Sequence, residues 1–123
     1  MRSAGLAFAF LLAACTQITS TRVVSDRLFC GLSIPGGGAV SQAELDAFID
    51  EIVEPRFPQG FTVWRAQGQW KGGDEEIVVL EFIHPADPRL DEAVAQIAAE
   101  YRRRFQQEAV LRVTTPVRME IEP

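Results

Sequence analysis

Glu81 stands out as a residue that could do chemistry. It interrupts the apolar run Ile77-Val78-Val79-Leu80-Glu81-Phe82-Ile83 and falls on the parity of Ile77, Val79 and Ile83. A carboxylate enclosed by apolar neighbours needs a cationic partner or a raised pKa. Such a group is either a member of an ion pair or one that orients a ligand or moves a proton. Arg65 in the segment before it and Arg112 in the last segment are the partners expected to reach it. Trp64 and Trp70 share one parity, and with Gln69 they could line a small-ligand pocket, because aromatic walls with one amide suit such sites. The same residues equally suit a core or an interface. The candidate ligand-binding set is therefore Trp64, Arg65, Gln69, Trp70, Glu81 and Arg112.

Other reactive types are sparse. The single histidine, His84, ends the run before Pro85. A surface or capping role is the ordinary expectation there, with a proton shuttle as the alternative. No Ser-His-Asp or Cys-His arrangement is readable around it. One His and two Cys exclude zinc fingers, His-rich metal sites and a disulfide framework. No carboxylate spacing resembles a calcium loop, so no metal or cofactor is expected. Gly36-Gly37-Gly38 lacks a following Lys and is no phosphate-binding loop; it reads as a turn. Arg102-Arg103-Arg104 suits the negative end of a helix dipole. The net charge of −5 argues against a broad nucleic-acid surface. Length (123 residues), 47% apolar and 24% charged residues describe one small globular domain.

The elements that must position these residues follow from local signals. Residues 28–34 form an apolar strand pattern that stops at Pro35 and the glycines. Ser41 and Glu44 make a capping box, and Val40 and Leu45 occupy hydrophobic-staple positions. Leu45, Phe48, Ile49, Ile52 and Val53 then recur with helical spacing until Glu54-Pro55 ends the helix. Residues 61–70 and 77–83 read as two strands joined by a hairpin at Lys71-Gly72-Gly73-Asp74. Asp87 and Pro88 open a second helix with the stripe Leu90, Val94, Ile97, Tyr101 and Phe105. Residues 109–121 form a last strand, which Pro116 places at an edge. The order βαββαβ predicts an α+β, ferredoxin-like fold: a four-stranded antiparallel sheet with two helices on one face. The third strand is apolar on both parities and so expects cover on both faces. A second copy of the chain is the simplest cover for the face without helices, hence an expected homodimer.

The N-terminus is an address. Arg2 is followed by a short apolar run and then by Leu12-Ala13-Ala14-Cys15, the pattern of a bacterial secretory signal. The run is shorter than the about 20 residues needed to span a bilayer. Leu12 to Cys15 resembles the lipobox of bacterial lipoproteins, in which the peptidase cuts before the Cys and the thiol carries lipid. Residues 1–14 are accordingly read as signal peptide, residues 15–26 as a lipid-anchored tether and residues 27–123 as the domain. Thr16 after the Cys implies the outer membrane, facing the periplasm. With Cys15 acylated, Cys30 has no intramolecular partner; its apolar strand pattern makes it a small buried hydrophobe.

Gly31-Leu32-Ser33, Val40-Ser41, Pro55-Arg56-Phe57-Pro58-Gln59-Gly60-Phe61-Thr62-Val63 and Gly68-Gln69-Trp70 resemble the bacterial family catalogued as domain of unknown function 3574. Tyr101-Arg102, Phe105, Gln107-Glu108 and Val110-Leu111-Arg112-Val113 are also similar, so the resemblance spans nearly the whole domain. Lys71 after the Trp and the charged Glu75-Glu76 accord with it. The resemblance implies an exported or lipid-anchored protein and brings no activity with it. It adds Arg56, Gln69, Trp70 and Glu75 to the residues worth testing. In the Pro55–Pro58 segment, Phe57 is expected to plug the core, and Arg56 to meet an acidic side chain or water.

The sequence thus reads as a lipid-anchored cell-envelope protein, a non-catalytic binding or assembly module acting through its open sheet face. The alternative is a small dimeric α/β-barrel-type enzyme, or a small-ligand carrier, with Glu81, Trp64, Arg65 and Arg112 around its pocket.

Overall fold

The computed structural model describes residues 21–123. Residues 1–14, read from sequence as a signal peptide, and Cys15 lie outside the described residues. The elements run β1 (Val23–Gly31), α1 (Gln42–Phe48) continued by a π-helical turn (Ile49–Val53), β2 (Thr62–Trp70), β3 (Gly73–Pro85), α2 (Pro88–Arg104) and β4 (Leu111–Val117). The sheet order is β2-β3-β1-β4, with every neighbour antiparallel. This is the expected ferredoxin-like arrangement, with β1 and β3 central and Pro116 on an edge strand.

The local signals act as their chemistry dictates. Ser41 Oγ accepts from the Glu44 backbone N–H, and the Ser41 backbone N–H donates to Glu44 Oε1. Val40 and Leu45 are both buried beside this cap. Asp87 caps α2 by accepting from the Arg89 N–H, with Pro88 in the first turn. Lys71 and Gly72 both take positive φ (49° and 79°), the left-handed pair that a two-residue hairpin turn requires. The π turn carries the helix into its end through a Glu54 N–H donated to Ile49 O at 2.9 Å. Arg56 then donates to Ile52 O (2.9 Å) and to Gln96 Oε1 (3.3 Å). Its guanidinium thus satisfies a carbonyl at a helix end while remaining partly exposed, and it forms no ion pair among the described residues.

β1 begins at Val23 and ends at Gly31, earlier at both ends than residues 28–34. Val23 to Asp26, read from sequence as tether, are sheet residues, and Ser25 and Asp26 are buried. The last strand is shorter than expected, Leu111–Val117.

The core lies between the helices and one sheet face. Leu28 and Cys30 of β1 and Val78, Leu80 and Phe82 of β3 meet Leu45, Phe48 and Val53 below, and Val94, Ile97 and Tyr101 of α2. Phe48 stands edge-on to Tyr101 at 5.3 Å between ring centroids, and Phe57 packs on Phe82 at 4.5 Å. Phe57 is thus the core plug that its flanking prolines predict.

Candidate functional site on the open sheet face

Strand pairing decides which candidates meet. Leu80 pairs with Leu28 and Val63, so its neighbours in sequence, Glu81 and Val79, project to the face away from the helices. Trp64 pairs with Val79 and Thr62 with Glu81, which places Trp64 and Trp70 on that face too. Arg65 pairs with Val78 and Arg112 with Leu28, both core-facing partners, so the two arginines belong to the helix side. The set splits accordingly: Trp64, Trp70 and Glu81 share the open face, while Arg65, Gln69 and Arg112 have the opposite parity. Arg65 donates to Gln42 Oε1 (2.6 Å), and exposed Gln69 donates to Asp74 Oδ1 (3.2 Å).

Glu81 finds a different cation. Arg27 is its direct partner across the β1–β3 ladder, with Nε 2.6 Å from Oε2. Ser25 Oγ donates to the same oxygen at 2.9 Å. The Arg27 hydrogen bond, against a desolvation that would raise it, holds the Glu81 carboxyl below its usual range, with Ser25 assisting. Arg27 also lies over the Trp64 ring, 5.7 Å from its centroid. Around this cluster Val79 is 1% exposed, although no helix covers it, whereas Ile83 (47%), Leu111 (58%) and Val113 (40%) stand open.

Two concavities interrupt this face. One, beside the ion pair, is lined by Ser25, Arg27, Glu81, Ile83 and the chain leaving β4. The other is an apolar groove of about 460 Å³ at the Gly31 end, where the β2–β3 hairpin meets the loop before β4. Phe29, Ile77, Trp70 and Leu111 form its sides, with Glu75 and Gln107 among its polar groups beside Ser33, Gln69 and Glu108. The side chain of Gln69 is exposed and bonds Asp74, although the residue borders the groove.

On the helix side stands a charged cluster that sequence reasoning missed. Asp26 is 0% exposed and accepts from Arg112 Nε (2.8 Å), from Thr114 Oγ1 and from His84 Nε2 (2.7 Å). Burial alone would raise its carboxyl, but the hydrogen bonds from Arg112, Thr114 and His84 outweigh it and hold the group below its usual value. His84 is buried rather than a surface cap, and its Nδ1 lies 2.7 Å from Pro85 O. Both ring nitrogens therefore lie within hydrogen-bond distance of an oxygen. Arg112 reaches onward to Asp91 Oδ1 (2.7 Å), tying β4 and β1 to the first turn of α2. This is a latch between sheet and helix. The polar run Ser25-Asp26-Arg27 was the only signal of it, and its pairing partners lie more than 50 residues away in sequence.

The chain belongs to the family described as "Protein of unknown function (DUF3574)", whose model matches residues 25–121. No curated protein matches it. Among solved structures, a phage SAM lyase in complex with S-methyl-5'-thioadenosine is similar at 19% identity and a TM-score of 0.55, covering 79% of this chain and 83% of the other. The same phage SAM lyase in its apo state gives 18% identity and a TM-score of 0.56, covering 80% and 83%. At such identities the likeness concerns the fold.

Proposed function

We propose that this protein is a lipid-anchored module of the cell envelope, in the outer membrane facing the periplasm, whose open sheet face docks a second copy of the chain and does no chemistry of its own. The observation that carries the reading is the condition of that face. Its centre is desolvated, with Val79 buried and Glu81 paired, while Ile83 and Val113 around it remain open to solvent. Exposed apolar groups beside a satisfied ion pair suit a self-complementary interface, where each protomer's rim covers its partner's centre. The enzyme alternative needs Arg65 and Arg112 beside Glu81, and both have the opposite parity. Membrane attachment rests on the lipobox at Cys15.

Light scattering on the Cys15→Ala protein, compared with an Ile83→Lys version of it, tests docking. A dimer that Ile83→Lys converts to monomer is expected; a monomer at all concentrations overturns the reading. Cell fractionation tests the anchor: the Cys15→Ala protein should leave the membrane pellet, and its retention there would show that lipid on Cys15 is not what holds it.

The groove supports a second reading, a small-ligand carrier. S-methyl-5'-thioadenosine, bound by the similar phage protein, is a direct probe. Its binding to this chain would favour the carrier, and a flat calorimetric titration would leave the docking module.

A further inference from the structure

The groove at the Gly31 end has a charge pattern that docking of a second sheet does not explain. This argument rests on the reading of the open face as the binding surface. The groove floor passes over Gly31 and Gly68, which carry no side chains, between Phe29, Ile77, Trp70 and Leu111. Two oxygens stand over Gly31. A Cβ there would lie 2.1 Å from Glu75 Oε1 and 2.7 Å from Gln107 Oε1, so both oxygens lie close together over the Gly31 backbone, which only glycine leaves open to them. The Gln107 amide is oriented by its other end: Nε2 donates to Ser33 O (2.8 Å) and Phe105 O (3.1 Å), which leaves oxygen facing Glu75. The second rim carboxylate, Glu108, is paired with Lys71 at 2.6 Å. Among the described residues, no cation pairs with Glu75.

Two neighbouring acceptors that line the groove, one of them a carboxylate, can be met together by one donor group lying in the groove. An ammonium group has three N–H donors and the complementary charge. Phe29, Ile77 and Leu111 offer apolar contact to the body of such a molecule, and Trp70 offers a face on which a cation is attracted. The groove volume of about 460 Å³ lies within the roughly 300–1,000 Å³ of small-molecule sites. We infer that this groove binds a small organic cation: a primary ammonium on a flat apolar body, the ammonium shared by Glu75 and Gln107. Anions of the same shape are repelled by Glu75.

Calorimetric titration of the full-length protein with phenylethylamine and with phenylacetate tests the inference, since the two share a ring and differ in charge. The amine is expected to bind at least about tenfold tighter, and Glu75→Gln should abolish that preference while leaving the thermal midpoint unchanged. Equal binding of amine and acid overturns the inference, as does no binding of the amine or a Glu75→Gln protein that keeps the preference. Light scattering on the same samples separates the two readings. A monomer that binds the amine keeps the groove inference and removes docking; a dimer that does not bind it does the reverse.

Discussion

Arg27 and Glu81 are Cα partners across the central β1–β3 ladder, and their side chains meet at 2.6 Å on the face that no helix covers. The pair lies directly opposite in register, where charges of unlike sign stabilise a sheet and like charges destabilise it. Half of the Arg27 side chain is exposed, against 17% of Glu81, so water and salt screen the attraction.

Glu81→Gln removes the charge and keeps the shape. Because screening is substantial, the expected loss in urea denaturation at neutral pH is about 0.5–1 kcal/mol. The folded carboxyl is held below its usual value, so the stabilisation is present above that value and fades as pH falls through the folded one. The gap between wild type and variant should therefore close in acid, and should shrink in molar salt. A gap that is constant with pH and salt would mean that packing, not charge, makes the difference.

Asp26→Asn should cost more, because the group is fully buried among Arg112, Thr114 and His84. Breaking a buried pair strands its partners, and about 3 kcal/mol is expected. The carboxyl titrates below its usual value in the fold, so wild type loses this contribution only as pH falls through that lowered value. Acid denaturation curves should show a steep limb in wild type and a flatter one in the variant. Equal limbs would remove Asp26 as a source of acid sensitivity.

Tyr101 is the single tyrosine of the chain, buried, with its hydroxyl donating to Gly31 O at 2.6 Å. Burial pushes the phenol well above its ordinary value, with nearby Cys30 and Glu75 adding to the effect. Absorbance at the phenolate band should show no ionisation near pH ~10 while the protein is folded, and full ionisation once it unfolds. Tyr101→Phe leaves the Gly31 carbonyl without that donor and should lower stability by about 1–2 kcal/mol. A native titration at the ordinary phenol pH would place the hydroxyl in water.

The element order was legible from sequence because its signals are local. Ser41 with Glu44, Asp87 with Pro88, and Lys71-Gly72 each act within a few residues, and alternation in β3 put Glu81 on the correct face. The partner of Glu81 was not legible, because it depends on register between distant strands: Arg27 faces it, and Arg65 and Arg112 do not. The start of β1 was missed for a related reason. Ser25 and Asp26 look like the end of a solvated tether, yet their polarity and that of Arg27 beside them is matched by Glu81, His84 and Arg112 from β3 and β4. The groove needs three separated segments to exist, and only the family resemblance pointed to Glu75 within it.

Cys30 gives a last prediction. It is fully buried in the core between sheet and helices, and burial pushes its thiol up to about 12. A thiol that ionises so high has almost no thiolate at neutral pH, and thiolate is the species that reacts with disulfide reagents. In the Cys15→Ala protein Cys30 is the sole remaining thiol. Ellman's reagent should therefore find no reactive group in the folded protein and one equivalent after denaturation. The rate of slow native labelling should follow the opening of the domain and rise in Tyr101→Phe, whose ring packs in the same core. Rapid labelling of the folded protein would mean that β1 opens locally, and that the thiol is available for chemistry after all.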